Sequence, residues 1–285
     1  MGRFQTSVAL AKSSWGVLRQ DKHLAAIPVL SFFVTVVVIA LMGGAMYLTF
    51  SEVPTKVDSS TQVLTGASAG TTLQPSPVTY VVGVLAYLVI TFVVTFFTAA
   101  LVAGAYQRLT GNEPSLGSAF GAAGARLPQI FLWSLVLSTV GLVIQAVESR
   151  LGVVGSILAR GLDMAWNIVT WLAIPVIIAE GTGPIDSLKR AGGLFKQTWG
   201  ENLIAQGGLG LLGFLAFLPG LLVGGLLVAV QPVIGVAVIV VWLAVTSTVM
   251  AALNGIFRTA LYLYAAGQPV SWFDDQVLAG AFRQK

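Results

Sequence analysis

The residues that could do chemistry in this 285-residue chain are few, and they do not converge. It contains no cysteine, which excludes disulfides, thiolate catalysis, iron–sulfur clusters, lipoprotein attachment and thiolate zinc sites. His23 is the single histidine; at the edge of an apolar run its ordinary role is a solvated interface residue rather than a ligand or acid–base group. Gly208, Gly210 and Gly213 spell GxGxxG, a pattern that cradles a pyrophosphate only after a strand and before an acid. Here it lies inside a continuous apolar run, where small-residue helix packing explains it, as it explains Gly220 and Gly224. No Ser/His/Asp set, HExxH motif or buried carboxylate pair is present. Each Asp, Glu, Lys and Arg can be placed at or outside the end of an apolar run. Gln145, Asn167, Gln206 and Asn254 remain within the runs as interhelical hydrogen-bonding groups. The sequence therefore predicts no enzyme, no catalytic residue, no cofactor and no metal site.

What must position these residues is a membrane. The chain is 56% hydrophobic and only 9% charged, with a mean hydropathy of +0.88, too apolar and too poor in surface charge for a soluble domain. Several uncharged runs exceed the roughly 20 residues that cross about 30 Å of hydrocarbon, and they do not alternate as barrel strands would. The first apolar run, Ile27 to Phe50, is too long for a signal peptide and reads as a retained span. A net charge of +4 and a pI near 9.5 could suggest nucleic acid, but the bases are scattered over short segments beside the apolar runs, so nucleic acid is excluded as a partner.

Taken in order, residues 1–285 read as a single all-α, polytopic membrane domain. Residues 1–26 form an amphipathic interfacial helix with Phe4, Val8, Ala11, Trp15 and Leu18 on one face and Arg3, Lys12, Arg19 and Lys22 around it. Hairpin 1 occupies 27–106, with a Ser/Thr/Gly/Pro-rich external loop at 51–79 that reads as a flexible tether. The end of its second span, Ala99, Ala100, Ala103, Gly104 and Ala105, permits close helix approach. Residues 115–179 hold a second interfacial segment, with Leu116, Phe120, Ala123 and Leu127 on one face, and hairpin 2. An external turn falls near Glu148 to Asp163, and the fourth span, Leu162 to Ala179, is kinked at Pro175. Residues 184–257 hold an interfacial helix and hairpin 3, which turns at Gln231 and Pro232 and kinks at Pro219; Arg258 ends the sixth span. Residues 271–285 form a closing amphipathic helix.

The segment joining hairpins 2 and 3 is the structural hinge, with candidates Glu180, Gly181, Gly183, Pro184 and Trp199. The two glycines can supply backbone angles closed to other residues, Gly183 can cap a helix that Pro184 starts, and Trp199 anchors its far end at the interface. Glu180 reads as a solvated boundary acid, with a fold-back ion pair to Lys189 or Arg190 as the alternative. Ile185, Leu188, Phe195 and Trp199 form an apolar stripe suited to a membrane surface. Lys12, Arg19, Lys189, Arg190 and Lys196 are candidates for contact with membrane lipids, anionic ones in particular.

Twelve of the fifteen bases, all but Lys56, Arg150 and Arg160, fall on one side of this arrangement, which places both termini in the cytoplasm and the chain in the inner membrane. Three motifs carry a resemblance. They are the acid-Gly-x-Gly-Pro turn followed by SLKRAGGLFKQTWGEN (Glu180 to Asn202), the opening SSWGVLRQDKHLAAIPVLS (Ser13 to Ser31) and the closing FRTALYLYAAGQPVSWFDDQVLAGAFR (Phe257 to Arg283). Together they resemble the six-span prokaryotic family called domain of unknown function 6159. The linker is also similar to the membrane domain attached to some glycerophosphodiester phosphodiesterases, whose catalytic domain this chain lacks. The resemblance implies six spans as three hairpins and supplies no ligand or catalytic residues. The expected role is a non-enzymatic accessory or scaffold subunit, packing with lipid, a membrane partner or further copies of itself; the alternative is a transporter or channel for a small or lipid-like solute.

Overall fold

The computed structural model describes residues 3–54, 71–199 and 205–273. Helix α1 (Arg3–Gln20) meets α2 (Lys22–Tyr47) at Asp21, and strands β1 (Phe50–Pro54) and β2 (Thr71–Pro75) follow. Then come α3 (Pro77–Leu109), α4 (Leu116–Gly124), α5 (Leu127–Thr170), α6 (Ala173–Glu180), α7 (Pro184–Trp199), α8 (Ala205–Val230) and α9 (Pro232–Ala265). The chain is an all-α polytopic membrane protein. Among the described residues five stretches are long and apolar enough to cross a membrane: His23–Tyr47, Pro77–Leu109, Leu127–Arg150, Gly213–Val230 and Pro232–Ala265.

The expected fourth span is not among these five. Residues 148–163 form no loop: α5 is helical over 44 residues. Yet the rings of Trp133 and Trp166 stack 6.4 Å apart, whereas a straight helix would separate them by about 50 Å. The segment therefore doubles back between them, where the sequence places an external turn, while keeping helical hydrogen bonding. Pro175 does not kink a span. The chain breaks at Trp171 and Leu172 and restarts as α6, with Pro175 in its first turn, where a missing N–H costs no helical bond.

The expected tether is also partly ordered. Its ends pair antiparallel, Phe50 opposite Pro75 and Pro54 opposite Thr71, while residues 55–70 lie outside the described residues. Ser76 caps α3 through a reciprocal capping box with Thr79. Both hydroxyls donate to the Thr49 carbonyl, at 2.7 and 2.9 Å, which fixes the α2–α3 hairpin at this end. Hairpin α8–α9 turns at Gln231 and Pro232 as expected. The expected helix at 271–285 lies outside the described residues beyond Phe273.

Burial is lopsided. Leu24 and Ile27 of α2, Ala99 to Ala103 of α3, Trp133 of α5 and Ile256, Phe257 and Thr259 to Leu263 of α9 are buried, and together with α4, α6 and α7 they form one packed end. Leu24 lies over Gly104, and Leu101 over Gly255, so the small residues of α3 do bring helices close. The far stretches of the same helices carry exposed Leu41, Tyr80, Val143, Leu226 and Val233. The molecule is a compact base with three apolar arms.

Candidate functional site

The hinge sits in the packed end. Gly181 ends α6 in the left-handed conformation at φ +68°, a region a side chain enters only at a cost. The Arg126 guanidinium also occupies the space an added Cβ would need. Gly183 behaves differently from the expectation: it has no positive φ and nothing near its missing Cβ. Its function is that of a cap, because its carbonyl accepts the first bond of α7 from the Ser187 amide at 2.9 Å, and Pro184 opens that helix as expected. Gly181→Ala should lower the stability by about 1–2 kcal/mol, while Gly183→Ala should change it by less than about 0.5 kcal/mol. Scanning both variants in detergent checks this, and equal losses would restore Gly183 to the hinge.

Glu180 is not a solvated acid. Its Oε1 accepts from Arg190 Nε at 3.0 Å and from the Tyr262 hydroxyl at 3.0 Å, tying α6, α7 and α9 together. The alternative drawn from the sequence, a fold-back ion pair, is the one observed. Trp199 closes α7, but its side chain lies outside the described residues. The apolar stripe of α7 is turned to protein: Ala191 and Leu194 are buried, Leu188 and Phe195 pack against the core, and Ile185 alone stays largely exposed. An amphipathic pattern states that one face needs apolar cover but not whether lipid or protein supplies it. Lys12, Arg19, Lys189 and Lys196 are exposed, with Lys189 4.0 Å from Asp186; Arg190 is half-committed to Glu180.

The sequence missed a buried ion pair. Asp21, at the elbow between α1 and α2, accepts from both Nε and a terminal nitrogen of Arg108 near the end of α3. Their side chains are only 8% and 14% exposed. Each residue had been read as a boundary charge, and nothing local joins two positions so far apart. Nearby, Phe92, Phe96 and Phe97 of α3 meet Phe120 of α4 and Phe131 of α5 at centroid distances of 5.6 to 6.3 Å. The second interfacial segment is thereby locked to the spans.

Beside the hinge lies a cavity of about 630 Å³ between α2, α3, α8, α9 and Trp171. Its walls are largely aromatic, from Phe97, Trp171, Phe214, Phe217 and Phe257, and Trp171 packs on Phe257 at 5.6 Å. Asn254 and Arg258 also line it. Arg258 had been expected to end the last span, but α9 continues to Ala265, so this charge lies inside the helix. Gln145 and Asn167 stay exposed, with Asn167 bonded to the Asp163 carbonyl at 2.8 Å; the side chain of Gln206 lies outside the described residues.

The glycines of α8 pack as expected. Gly220 receives the Trp242 ring, Gly224 faces Ile239, and Gly213 faces Met250; the side-chain surroundings of Gly208 and Gly210 lie outside the described residues. Trp242 Nε1 donates to the Ala216 carbonyl at 3.0 Å, in the turn that Pro219 disturbs. Among the described residues no group of three or more His, Cys, Asp or Glu could hold a metal. In comparison with known proteins, a model for a family of unknown function (DUF6159) matches residues 77–271. No curated protein matches the chain.

Proposed function

We propose, from the premise that the chain belongs to the family of unknown function DUF6159 and takes no activity from it, that it is a non-enzymatic accessory or scaffold protein of the inner membrane. It would hold a membrane partner or lipid along its three arms. The observation that supports this is the uncovered apolar surface of those arms, from Phe33 and Leu41 through Tyr80 to Leu226 and Val233, since extended apolar surface marks a membrane or protein contact. Five long helices, with the returning half of α5 and α6 as one more crossing, would make six. With the bases gathered on one side, both termini then face the cytoplasm. A transporter of a lipid-like solute is the second reading, favoured by the cavity beside the hinge.

The test has two parts. Reporter fusions after Lys285 and within residues 59–72 should report cytoplasmic and external positions respectively, and an external C-terminus would refute six crossings. A photo-crosslinking residue at Leu226 or Val233 in native membranes should yield a protein adduct of one defined size. Lipid adducts alone, with solute flux through liposomes of the purified protein, would transfer the assignment to transport.

A further inference from the structure

The cavity beside the hinge contains a charge for which no described residue supplies a counter-charge. Arg258 Nε is buried and has no hydrogen-bond partner, and no described carboxylate forms an ion pair with this guanidinium. One turn earlier on the same helix face, Asn254 Oδ1 is likewise buried and unpartnered. A buried polar group left unpaired is costly and a buried charge more so, so a donor and an acceptor orphaned side by side specify what completes them: an oxyanion for the guanidinium and a hydroxyl or ammonium hydrogen for the amide oxygen. The rest of the wall selects further. Phe97, Leu101, Phe214, Phe217, Met250 and Phe257 present apolar surface, which a small hydrophilic anion would leave uncovered and an acyl chain would cover. The volume of about 630 Å³ lies in the range of sites for small organic ligands. Helices α2 and α8 each pack on α9 and both line the cavity. Arg258 stands about 10 Å from the end of α9.

We propose that this cavity binds the anionic head of an acyl-chain amphiphile, its oxyanion on Arg258, its hydrogen-bond donor on Asn254 and its chain leaving between α2 and α8. The inference goes beyond the accessory reading and is independent of it, because it rests on the cavity and not on the arms. The site would explain why an arginine is kept inside a span: the ligand supplies the missing charge.

The test uses the full-length protein, delipidated in neutral detergent, with its thermal midpoint followed as phosphatidylglycerol, oleate, phosphatidylcholine or inorganic phosphate is added, since a ligand that binds the folded state raises the midpoint. Saturable stabilisation by phosphatidylglycerol or oleate is expected, and which of them acts identifies the phospholipid or the free acid as source. Arg258→Gln should weaken that binding roughly ten-fold or more without lowering the ligand-free midpoint, because it removes an unpaired charge. Ala251→Trp, which fills the cavity and leaves the charge, should abolish it. Arg160→Gln, an exposed arginine on the returning half of α5, should bind as the unmodified protein does. Equal stabilisation by phosphatidylcholine, stabilisation by inorganic phosphate to the same extent, or undiminished binding by Arg258→Gln would overturn the proposal. Cross-linking at Leu226 and Val233 reads the arms separately, so failure here leaves the accessory reading standing.

Discussion

Gly235→Leu is expected to be among the most damaging single substitutions outside the packed end. Gly235 lies three residues into α9, where a Cβ would fall on the backbone of Val228 in α8. Backbone cannot rotate away as a side chain can, so the cost should reach the upper end of overpacking, about 3 kcal/mol. For a protein of this size that corresponds to a fall of roughly 6–12 °C in thermal midpoint. Gly225, on the facing helix, has nothing within 4 Å of its missing Cβ, and Gly225→Leu should move the midpoint by less than about 0.5 kcal/mol equivalent. Equal midpoints for the two variants would mean that α8 and α9 do not meet as described. The contrast separates close packing from glycine content, which is all that the GxxxG pattern states.

Asp21→Ala should cost about 3 kcal/mol or more, because it leaves Arg108 desolvated without a counter-charge. The pair joins the α1–α2 elbow to the end of α3 in two parallel hydrogen bonds, the geometry in which an arginine–carboxylate contact is strongest. Replacing both partners, Asp21→Leu with Arg108→Met, should recover most of the loss, since burying two apolar groups avoids the desolvation penalty that the charges incur. Lys189→Ala, which breaks the exposed contact with Asp186, should change stability by no more than about 0.5 kcal/mol. Midpoints in the same detergent decide the matter: an Asp21→Ala loss as small as that of Lys189→Ala would show that the pair is not buried in the working protein.

Membership of the membrane class, the long helix that follows the external loop, the long helix from Pro232, the turn at Gln231 and the helix start at Pro184 were legible in the amino-acid sequence. Each depends on a run of neighbouring residues, either enough apolar surface to cross hydrocarbon or a proline and a cap that settle backbone angles locally. Hydropathy also set a boundary at Arg258, because a charge interrupts an apolar run. The helix continues to Ala265 because Phe257, Leu261 and Leu263 are buried by other helices, a condition absent from the local pattern.

Tertiary structure alone decided the rest. Asp21 with Arg108, and Glu180 with Tyr262, are partnerships across chain distances that no spacing rule connects, and between the solvated acid and the ion pair that the sequence left open for Glu180, packing selected the pair with Arg190. The reversal inside α5 falls where the charges from Glu148 to Asp163 place a turn, but its helical backbone and the meeting of Trp133 with Trp166 across it come from packing. The apolar face of α7 had two available solvents, lipid and protein, and an amphipathic stripe is equally consistent with both. The choice was made by α5, α6 and α9, which pack against it. The unpaired Arg258 and Asn254 became a site for the same reason: a residue's environment is set by whichever helices close around it, and that is a property of the packed chain rather than of its neighbours in sequence.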